Sequence, residues 1–415
     1  MTGHFSELQL KHFVDDFEKE FGHSHFPVTV VCAPARVNLI GDHIDYNGGF
    51  VFPCAVNLYL KVAVRKNTTQ TFVYKSSNQD RFYTFDISEM LKCDETKGFA
   101  NYINAAIVFL RQRGLVLDSG FELYIESEIP MGSGLSSSAA LEVATILALC
   151  HLFSFELSRK EVACLGQECE NKFLGLQSGI MDQFIIAHAQ ADTAMLLNTR
   201  TLTFELKPFL LKEHRLVVTN SCKPRSLVES KYNERKAECE TALRILKPLF
   251  KIDNLCELTE KDIGRVEQIF LDRIKSKDFE VDSRQDLTAI TGEVLFKRTR
   301  HCIYENSYVL HSCRALEAHN IKEFGNLMYA SHRSLSNDYE VSGKELNSLV
   351  TRAMESSYCL GSRMTGAGFS GCAIALVHVD GLDSFFNTVR TGYKKDCNLD
   401  CEFYICNAVD GAQVL

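Results

Sequence analysis

The residues between Ile129 and Ala144 have the types and the spacing of a site that binds phosphate. Pro130, Gly132 and Gly134 interrupt regular structure and permit backbone angles that other residues avoid. Three consecutive serines follow, in the position of a helix cap, directly before a buried apolar run. Free N–H groups, the positive end of a helix dipole and neighbouring hydroxyls together favour an anion. A turn that caps an ordinary core helix is the alternative, although one serine suffices for a cap.

Two carboxylates further along the chain could act on a hydroxyl group or hold a metal ion. Asp182 closely follows Gly179 at a predicted helix start among apolar neighbours, where it could serve as a positioned base. Glu170 lies on a predicted helix upstream. Taken singly, each has an ordinary alternative, namely a charge at a helix N-terminus for the aspartate and a solvated helix residue for the glutamate.

A polar loop near the N-terminus supplies the cation that such a site needs. Arg36 lies between the end of a predicted strand and a loop that holds Asp42, His43 and Asp45. A surface arginine is the common alternative, but this placement suits a bridge between phosphate and substrate. Phosphoryl transfer needs phosphate-binding N–H groups, a metal held by a hydroxyl and a carboxylate, a cation and an orienting residue. Together the segments predict such a site.

The predicted elements place these residues at the ends of strands and helices. Strand Phe121 to Glu126 precedes the glycine loop, and a buried helix from Ala139 to Cys150 follows it. Strand Val28 to Cys32 precedes the polar loop, and the helix Arg159 to Phe173 carries Glu170.

The second half of the chain is predicted to be more helical, with a domain boundary near residues 190 to 212. A second glycine loop, Met364 to Gly371, precedes a strand, and no chemistry is assigned to Phe250 to Leu295. The predicted helices are Ser226 to Lys247, Arg298 to His319, Ile321 to Leu335 and Gly343 to Glu355.

Composition and missing motifs exclude several classes of protein. The 415 residues have room for about two or three domains. A net charge of −8 argues against nucleic acid or an acidic membrane surface as a partner, and no long apolar run predicts a membrane span. The sequence lacks the motifs of P-loop proteins and protein kinases, and it lacks an early G-x-G-x-x-G. Sixteen cysteines without C-x-x-C spacing, and no signal peptide, predict free thiols in a reducing cytoplasm.

Several segments resemble the motifs of galactokinases, a family of the GHMP small-molecule kinases. The segment Ala33 to Asn47, Ala-Pro-Ala-Arg-Val-Asn-Leu-Ile-Gly-Asp-His-Ile-Asp-Tyr-Asn, resembles the first motif. The stretch from Ile129 to Ala144 resembles the second motif, and Gly179 to Phe184 resembles the catalytic segment. The segments Ser221 to Glu240, Ser331 to Leu335, Asp338 to Glu340 and Arg363 to Phe369 are similar as well.

The resemblance implies an α+β fold with two domains. An N-terminal α/β domain would cover residues 1–200 and a C-terminal, ferredoxin-like α+β domain residues 201–415, with room for the last strand to return to the first domain. The active site would lie in the cleft between them. The implied activity is ATP-dependent phosphorylation of galactose at its C1 hydroxyl, which gives galactose 1-phosphate and commits galactose to catabolism. The implied cofactors are ATP and Mg²⁺, and we expect a monomer.

The resemblance also implies roles for individual residues. Asp182 would take the proton of the C1 hydroxyl, and Arg36 would steady Asp182 and the charge on the phosphoryl group. Ser138 and Glu170 would be the Mg²⁺ ligands. The implied sugar contacts are Asp42, His43, Ile44, Asp45, Gly179 and Tyr232. The implied nucleotide contacts are Gly132, Ser133, Gly134, Leu135, Ser136, Ser137 and Ser138, with Ser76 as a further one. Gly366, Gly368 and Gly371 would support the site as the third motif.

The chain departs from the usual galactokinase pattern at four positions. Ala35 and Ser370 stand where family members usually have glycine. Asp42 and Ile44 stand where they usually have Glu and Thr. Asp is one methylene shorter than Glu, so a sugar contact at Asp42 must move or weaken.

These departures keep other functions open. A kinase for a related sugar such as N-acetylgalactosamine is the nearest alternative. A galactose sensor with weak catalysis is a second, although the intact run from Ser136 to Ala139 favours an enzyme. A GHMP kinase for another small alcohol explains the glycine loops but leaves His43, Asp45 and Tyr232 unexplained.

Overall fold

A computed structural model describes residues 6–224, 228–276 and 290–415. The helices are α1 Glu7–Phe21, α2 Ala100–Gln112, α3 Ser137–Leu152, α4 Arg159–Glu168, α5 Met181–His188, α6 Val228–Phe250, α7 Ile263–Ser276, α8 Gly292–Glu317, α9 Ile321–Asn337, α10 Gly343–Met354 and α11 Leu382–Cys397. The strands are β1 Thr29–Asn38, β2 Phe50–Val51, β3 Pro53–Lys66, β4 Thr71–Ser76, β5 Tyr83–Asp86, β6 Phe121–Ser127, β7 Thr193–Asn198, β8 Thr203–Pro208, β9 His214–Asn220, β10 Cys359–Thr365, β11 Cys372–His378, β12 Glu402–Cys406 and β13 Gln413–Val414.

A six-stranded sheet organises the first half of the chain, in the order β13-β1-β3-β6-β4-β5. Strands β4 and β6 are parallel, and the other neighbours are antiparallel. Side chains alternate between the two faces of a strand. Val31 and Val62 therefore belong to the main core with α3, whereas Val30 and Ala63 face α1 and pack with Phe13. Both faces of the sheet are thus covered by helices.

A second, antiparallel sheet organises the other half, in the order β10-β11-β9-β12. Helices α9, α10 and α11 pack on its strands, and α8 packs against α6, α7 and α9. A small sheet of β2, β7 and β8 contacts both β3 and α8, so it joins the two halves. This mixture of helix and strand confirms the predicted α+β class.

The end of the chain contributes to both sheets. Strand β12 pairs with β9 in the second sheet, and the chain then crosses back so that β13 pairs with β1. An isolated bridge between Val56 and Ala408 lies on this crossing.

Strand β1 continues to Asn38, whereas the sequence predicted that it ends at Cys32. Pro34 has no N–H to donate to the ladder with β3, and the register of the pair shifts between Pro34 and Ala35. The strand resumes after this irregularity. Arg36 therefore lies on a strand of the sheet and not in a loop, which gives its side chain a rigid base.

The predicted helix from Arg159 to Phe173 divides into two parts. Helix α4 ends at Glu168, and a π-helical turn, Cys169–Leu174, follows and carries Glu170. Such turns are rare and often occur at functional sites.

The interval without assigned chemistry, Phe250 to Leu295, contains α7 and extends into residues 277–289, which lie outside the described residues. The predicted start of a helix at Ser226 also lies outside them. None of the helices in the described ranges has the length and apolar character that a membrane span requires.

Candidate active site

A cavity of about 220 Å³ lies where the motifs of both halves of the chain meet. Its walls come from β1 and the polar loop, the start of α3, the π-helical turn, the start of α5, and α6. Predicted site residues that line it are Arg36, Asp42, His43, Asp45, Ser138, Glu170, Gly179, Asp182 and Tyr232.

Arg36 and Asp182 form a bidentate ion pair in this cavity. Arg36 Nε lies 2.7 Å from Asp182 Oδ1, and Arg36 Nη2 lies 2.7 Å from Asp182 Oδ2. The third nitrogen, Nη1, donates to the carbonyl oxygen of Gly134 over 2.7 Å. Because all three nitrogens of the planar guanidinium donate hydrogen bonds, Arg36 fixes the positions of both the carboxylate and the glycine loop. The buried Arg36 thus ties the predicted base to the predicted phosphate loop.

The glycine loop has the backbone angles that its sequence predicts. Gly132 and Gly134 have φ of 68° and 79°, and Ser136 has φ of 62°. Ser136 occupies the N-cap position of α3, but its side chain makes no cap hydrogen bond and donates instead to Asp182 Oδ2. The first N–H groups of α3, from Ser137 onward, therefore keep no side-chain cap. This arrangement suits an anion at the helix start.

Of the predicted nucleotide contacts, Ser138 lines the cavity, whereas the residues from Gly132 to Ser137 do not. Leu135 is buried in the main core, and Ser133 Oγ donates to the carbonyl oxygen of Pro130 within its own turn. Ser76 Oγ donates to Asn78 Oδ1 over 2.7 Å and does not line the cavity. Leu135 and Ser133 thus shape the loop from within, and Ser76 lies on a strand beside it.

Ser138 and Glu170 lie together at the edge of the cavity. Ser138 Oγ donates to Glu170 Oε1 over 3.0 Å, from the first turn of α3 to the π-helical turn. Burial raises the pKa of Glu170, hydrogen bonds from Ser178 and Ser138 oppose this, and the charge of Asp182 adds to it. A carboxylate whose charge is disfavoured in this way gains from a nearby cation.

The oxygen donors of Ser138 and Glu170 fit Mg²⁺, which commonly takes one or two carboxylates and completes its shell with phosphate and water. Within the described ranges, no group of three or more His, Cys, Asp or Glu side chains could hold a metal by itself. A site that shares its ion with a phosphate ligand does not need such a group.

Behind Glu170 lies a buried pair that the sequence did not indicate. Gln183 Nε2 donates to Glu142 Oε2 over 2.9 Å, and both side chains are fully buried. Gln183 also donates to Glu170. Burial raises the pKa of Glu142 far above its usual range, and the charge of Glu170 adds to this effect. In the sequence, Glu142 and Gln183 are each a polar residue within an apolar run, and this pattern does not indicate that the two side chains pair.

Asp45 presents a carboxylate to the cavity. It accepts from the backbone N–H groups of Tyr46 and of Asp45 itself, and the buried arginines Arg36 and Arg363 pair with Asp182 and Asp42 instead. Burial, then the charges of Asp182 and Asp42, raises the pKa of Asp45 to about 7. Its carboxylate lies directly against Gly179, where any larger residue would collide with it. A larger residue at position 179 would therefore displace the carboxylate of Asp45 from its place in the cavity.

His43 lies at the end of a buried chain of hydrogen bonds. Its Nε2 lies 3.2 Å from the carbonyl oxygen of Ala367, which can only accept, so Nε2 carries the proton. Its Nδ1 then accepts from the hydroxyl of Tyr46 over 2.8 Å, and that oxygen lies 2.8 Å from the hydroxyl of Tyr339. Burial, then the charge of His301, lowers the pKa of His43 to about 3, so the ring is neutral.

The other predicted sugar contacts differ in their exposure to the cavity. Tyr232 lines it, with its ring centroid 5.5 Å from that of His43 and 5.4 Å from that of Tyr46. Ile44 is fully buried and does not line the cavity, because its side chain packs against Gly49. Its position does not agree with the predicted contact.

Sequence reasoning missed several residues of the cavity wall. Tyr102, Ser178, Asn233 and Ala367 line it. Asn233 and Ala367 lie within segments that resemble galactokinases, whereas no role was assigned to the segments that carry Tyr102 and Ser178. For Asn233 and Ala367, the signal was a predicted neighbour, since Tyr232 lines the cavity beside Asn233 and Gly366 lines it beside Ala367.

Three family models match separate parts of the chain. They are "Galactokinase galactose-binding signature" over residues 15–66, "GHMP kinases N terminal domain" over 101–190, and "GHMP kinases C terminal" over 313–395. A galactokinase of Clostridium acetobutylicum is 38% identical over 98% of this chain and 99% of its own. The chain belongs to the galactokinase family. A second galactokinase relative, from Fusobacterium nucleatum, is 39% identical over 97% of this chain and 99% of its own.

Solved structures agree with this membership. A crystal structure of the galactokinase of Lactococcus lactis with galactose has a TM-score of 0.89 and 37% identity, and covers 98% of this chain and 100% of its own. The mevalonate kinase of Methanococcus jannaschii has a TM-score of 0.65 at 19% identity, with 93% of this chain and 100% of its own covered. The second likeness concerns the fold alone, which is that of the GHMP kinases. The predicted family and fold are thus confirmed.

Proposed function

We propose that this galactokinase transfers the terminal phosphoryl group of ATP to the C1 hydroxyl of galactose. The observation that carries the proposal is the bidentate pair of Arg36 and Asp182, which joins the glycine loop to the cavity that the sugar would fill. The family membership supports both substrates.

Asp182 is the proposed base. The C1 oxygen attacks the γ-phosphorus, the bond from that phosphorus to the bridging oxygen of ADP breaks, and the proton of the hydroxyl passes to Asp182. Arg36 holds both oxygens of this carboxylate, and Ser136 donates to one of them. Asp182 therefore approaches the hydroxyl in one fixed orientation, and positioning of this kind supplies much of the catalysis in phosphoryl transfer.

Arg36 is also the proposed stabiliser of the transferred group. Its side chain is only 5% exposed, so little water screens its charge. Its bond to the carbonyl oxygen of Gly134 keeps it beside the loop where the phosphates would lie. The guanidinium would therefore stabilise the negative charge that develops on the phosphoryl oxygens in the transition state.

The proposed binding mode of ATP uses the glycine loop and the start of α3. Gly132 and Gly134 let the backbone approach the phosphates, and the loop from Ser136 to Ser138 leads into a helix without a side-chain cap. Ser138 and Glu170 would hold Mg²⁺, which neutralises phosphate charge when it is bound. Within the protein, the hydrogen bond between these two side chains keeps both oxygens at one edge of the cavity.

Asp45 is the proposed principal reader of the sugar hydroxyls. Its carboxylate accepts hydrogen bonds and faces the cavity beside Gly179, while Tyr232 and the neutral ring of His43 supply the flat walls. A site that pairs a given hydroxyl rejects an analogue that lacks it, since its own buried group is left unpaired.

We further propose that the protein works as a monomer in the cytoplasm. The cavity is built within one chain, and all sixteen cysteines are free thiols, most of them buried. Free thiols of this number suit a reducing compartment.

The test is turnover of ATP with a panel of sugars in the presence of Mg²⁺. We expect kcat/KM for galactose to exceed that for glucose and N-acetylgalactosamine by at least about tenfold. Equal turnover on all three would contradict the substrate assignment. Preference for N-acetylgalactosamine would favour the alternative that Asp42 and Ile44 keep open, and binding without turnover would favour a sensor.

A further inference from the structure

Asp42 lines the floor of the sugar cavity, yet its carboxylate is engaged by the protein itself. Oδ1 accepts from Asn38 Nδ2 over 3.0 Å and from the N–H of Gly366 over 3.3 Å. Oδ2 accepts from Arg363 Nη2 over 2.7 Å. The side chain is only 2% exposed. Three of its roughly four acceptor sites are occupied. Asp182 also accepts three hydrogen bonds but its side chain is 29% exposed, so it is burial that leaves Asp42 little access to a sugar hydroxyl.

Arg363 makes this carboxylate part of a bridge between the two halves of the chain. It is fully buried on β10 of the second sheet and donates through Nη1 to the carbonyl oxygen of Asn38 on β1, over 2.9 Å. Its Nε donates to Ser331 Oγ over 3.1 Å, and Glu305 lies 3.6 Å from Nη2. Charged hydrogen bonds in a buried site are strong and directional. The bridge therefore fixes the polar loop relative to β10.

The bridge ends next to the catalytic pair. Gly366 follows β10, donates to Asp42, and lies so close to Gly134 that an added side chain would meet the carbonyl oxygen of Gly134 at 2.9 Å. That same carbonyl oxygen accepts from Arg36, which holds Asp182. Four successive contacts thus connect Asp42 to the proposed base, through Gly366 of the third motif, Gly134 of the second motif and Arg36.

We infer that Asp42 is a positioning residue that, through Arg363 and Gly366, aligns the glycine loop with Arg36, and that it does not read the sugar. The inference rests on the proposed function, since it assigns a role within the same cavity. Family members usually have Glu at this position, whereas here the carboxylate of the shorter Asp42 lies on Arg363. Sugar recognition by carboxylate then falls to Asp45.

The test compares Asp42→Asn with Asp45→Asn on galactose and its 2-, 3-, 4- and 6-deoxy analogues. For Asp42→Asn we expect kcat to fall about tenfold on every sugar, with KM changed less than about threefold, because an alignment is lost. For Asp45→Asn we expect KM for galactose to rise. We also expect the loss of kcat/KM on going from galactose to one particular deoxy analogue to become about tenfold smaller, because the variant no longer contacts the hydroxyl that this analogue lacks.

Two results would overturn the inference. One is a deoxy analogue whose penalty disappears in Asp42→Asn, which would make Asp42 a sugar contact. The other is a kcat for Asp42→Asn equal to that of the unaltered protein. Should Asp42→Asn fail to fold, Arg363→Lys, which keeps the charge but loses the fork, is expected to give the same uniform fall.

The free energy of unfolding, measured in urea, tests the contact between Asp42 and Arg363 independently of the proposed function. We expect the losses of stability in Asp42→Asn and Arg363→Lys to be strongly non-additive in the double variant, because both break one bridge. Additive losses would overturn the bridge even if galactose were no substrate. Absence of turnover on galactose by the unaltered protein would instead overturn the proposed function.

Discussion

The three aspartates of this cavity have different hydrogen-bond partners. Asp182 has both oxygens on Arg36, Asp42 has both oxygens on protein donors, and Asp45 accepts from backbone N–H groups and faces the cavity. The sequence predicted the identity of these carboxylates from their motifs. It could not predict their partners, because Arg363 lies more than three hundred positions from Asp42 in the chain.

Asp182→Asn tests the proposed base. The amide keeps the size of the side chain but cannot take a proton, so we expect kcat to fall about 10³-fold, with ATP binding retained. Turnover by steady-state assay and ATP affinity by calorimetry check this. Asp192→Asn, an exposed aspartate, is the matched control and should behave as the unaltered protein. Near-normal turnover of Asp182→Asn would remove Asp182 as the base.

The raised pKa of Asp45 predicts a pH dependence of sugar binding. With a pKa of about 7, the carboxyl group is increasingly protonated as the pH falls from about 8 to about 6, and it then accepts hydrogen bonds less well. We therefore expect KM for galactose to rise several-fold over this range. In Asp45→Asn, KM should be higher at every pH and nearly constant. A pH dependence that survives in this variant would assign it to another group.

Irregular elements, more than regular ones, position the catalytic groups. The shift of register between Pro34 and Ala35 in β1 precedes Arg36, and the π-helical turn after α4 carries Glu170. Hydrophobic periodicity predicted most helices of the described ranges to within a few residues, because their apolar faces repeat in the sequence. It could not predict these two irregularities, since one occurs in the pairing of β1 with β3 and the other in a turn that packs against α2 and is bonded to Ser138 of α3.

Glu170→Gln tests the role of the π-helical turn. Loss of a carboxylate ligand is expected to raise the Mg²⁺ concentration for half-maximal activity at least about tenfold. Glu168→Gln, two residues earlier and outside the cavity wall, is the control and should leave the Mg²⁺ titration unchanged. If Glu170→Gln had the same titration as the control, Glu170 would not be a ligand.

At the scale of the whole molecule, the site depends on contacts between distant parts of the chain. Arg363 of β10 reaches the carbonyl oxygen of Asn38 on β1, and β13 returns to pair with β1 after the second sheet is complete. The resemblance to galactokinases implied the fold class and the meeting of the motifs in one cleft. The buried contacts of Arg363 with the first half of the chain were not predictable, since the sequence pattern around an arginine in a glycine-rich motif does not show whether it is buried.

The position of the phosphate on the product tests the central claim most directly. The protein is incubated with ATP, Mg²⁺ and galactose, and the product is examined by ³¹P and ¹H NMR, with 1,5-anhydrogalactitol as an analogue without the C1 hydroxyl. We expect phosphorus coupled to the C1 proton of galactose, and no phosphorylation of the analogue. A phosphate on any other oxygen, or phosphorylation of the analogue at a similar rate, would contradict a cavity in which Asp182 faces the C1 hydroxyl.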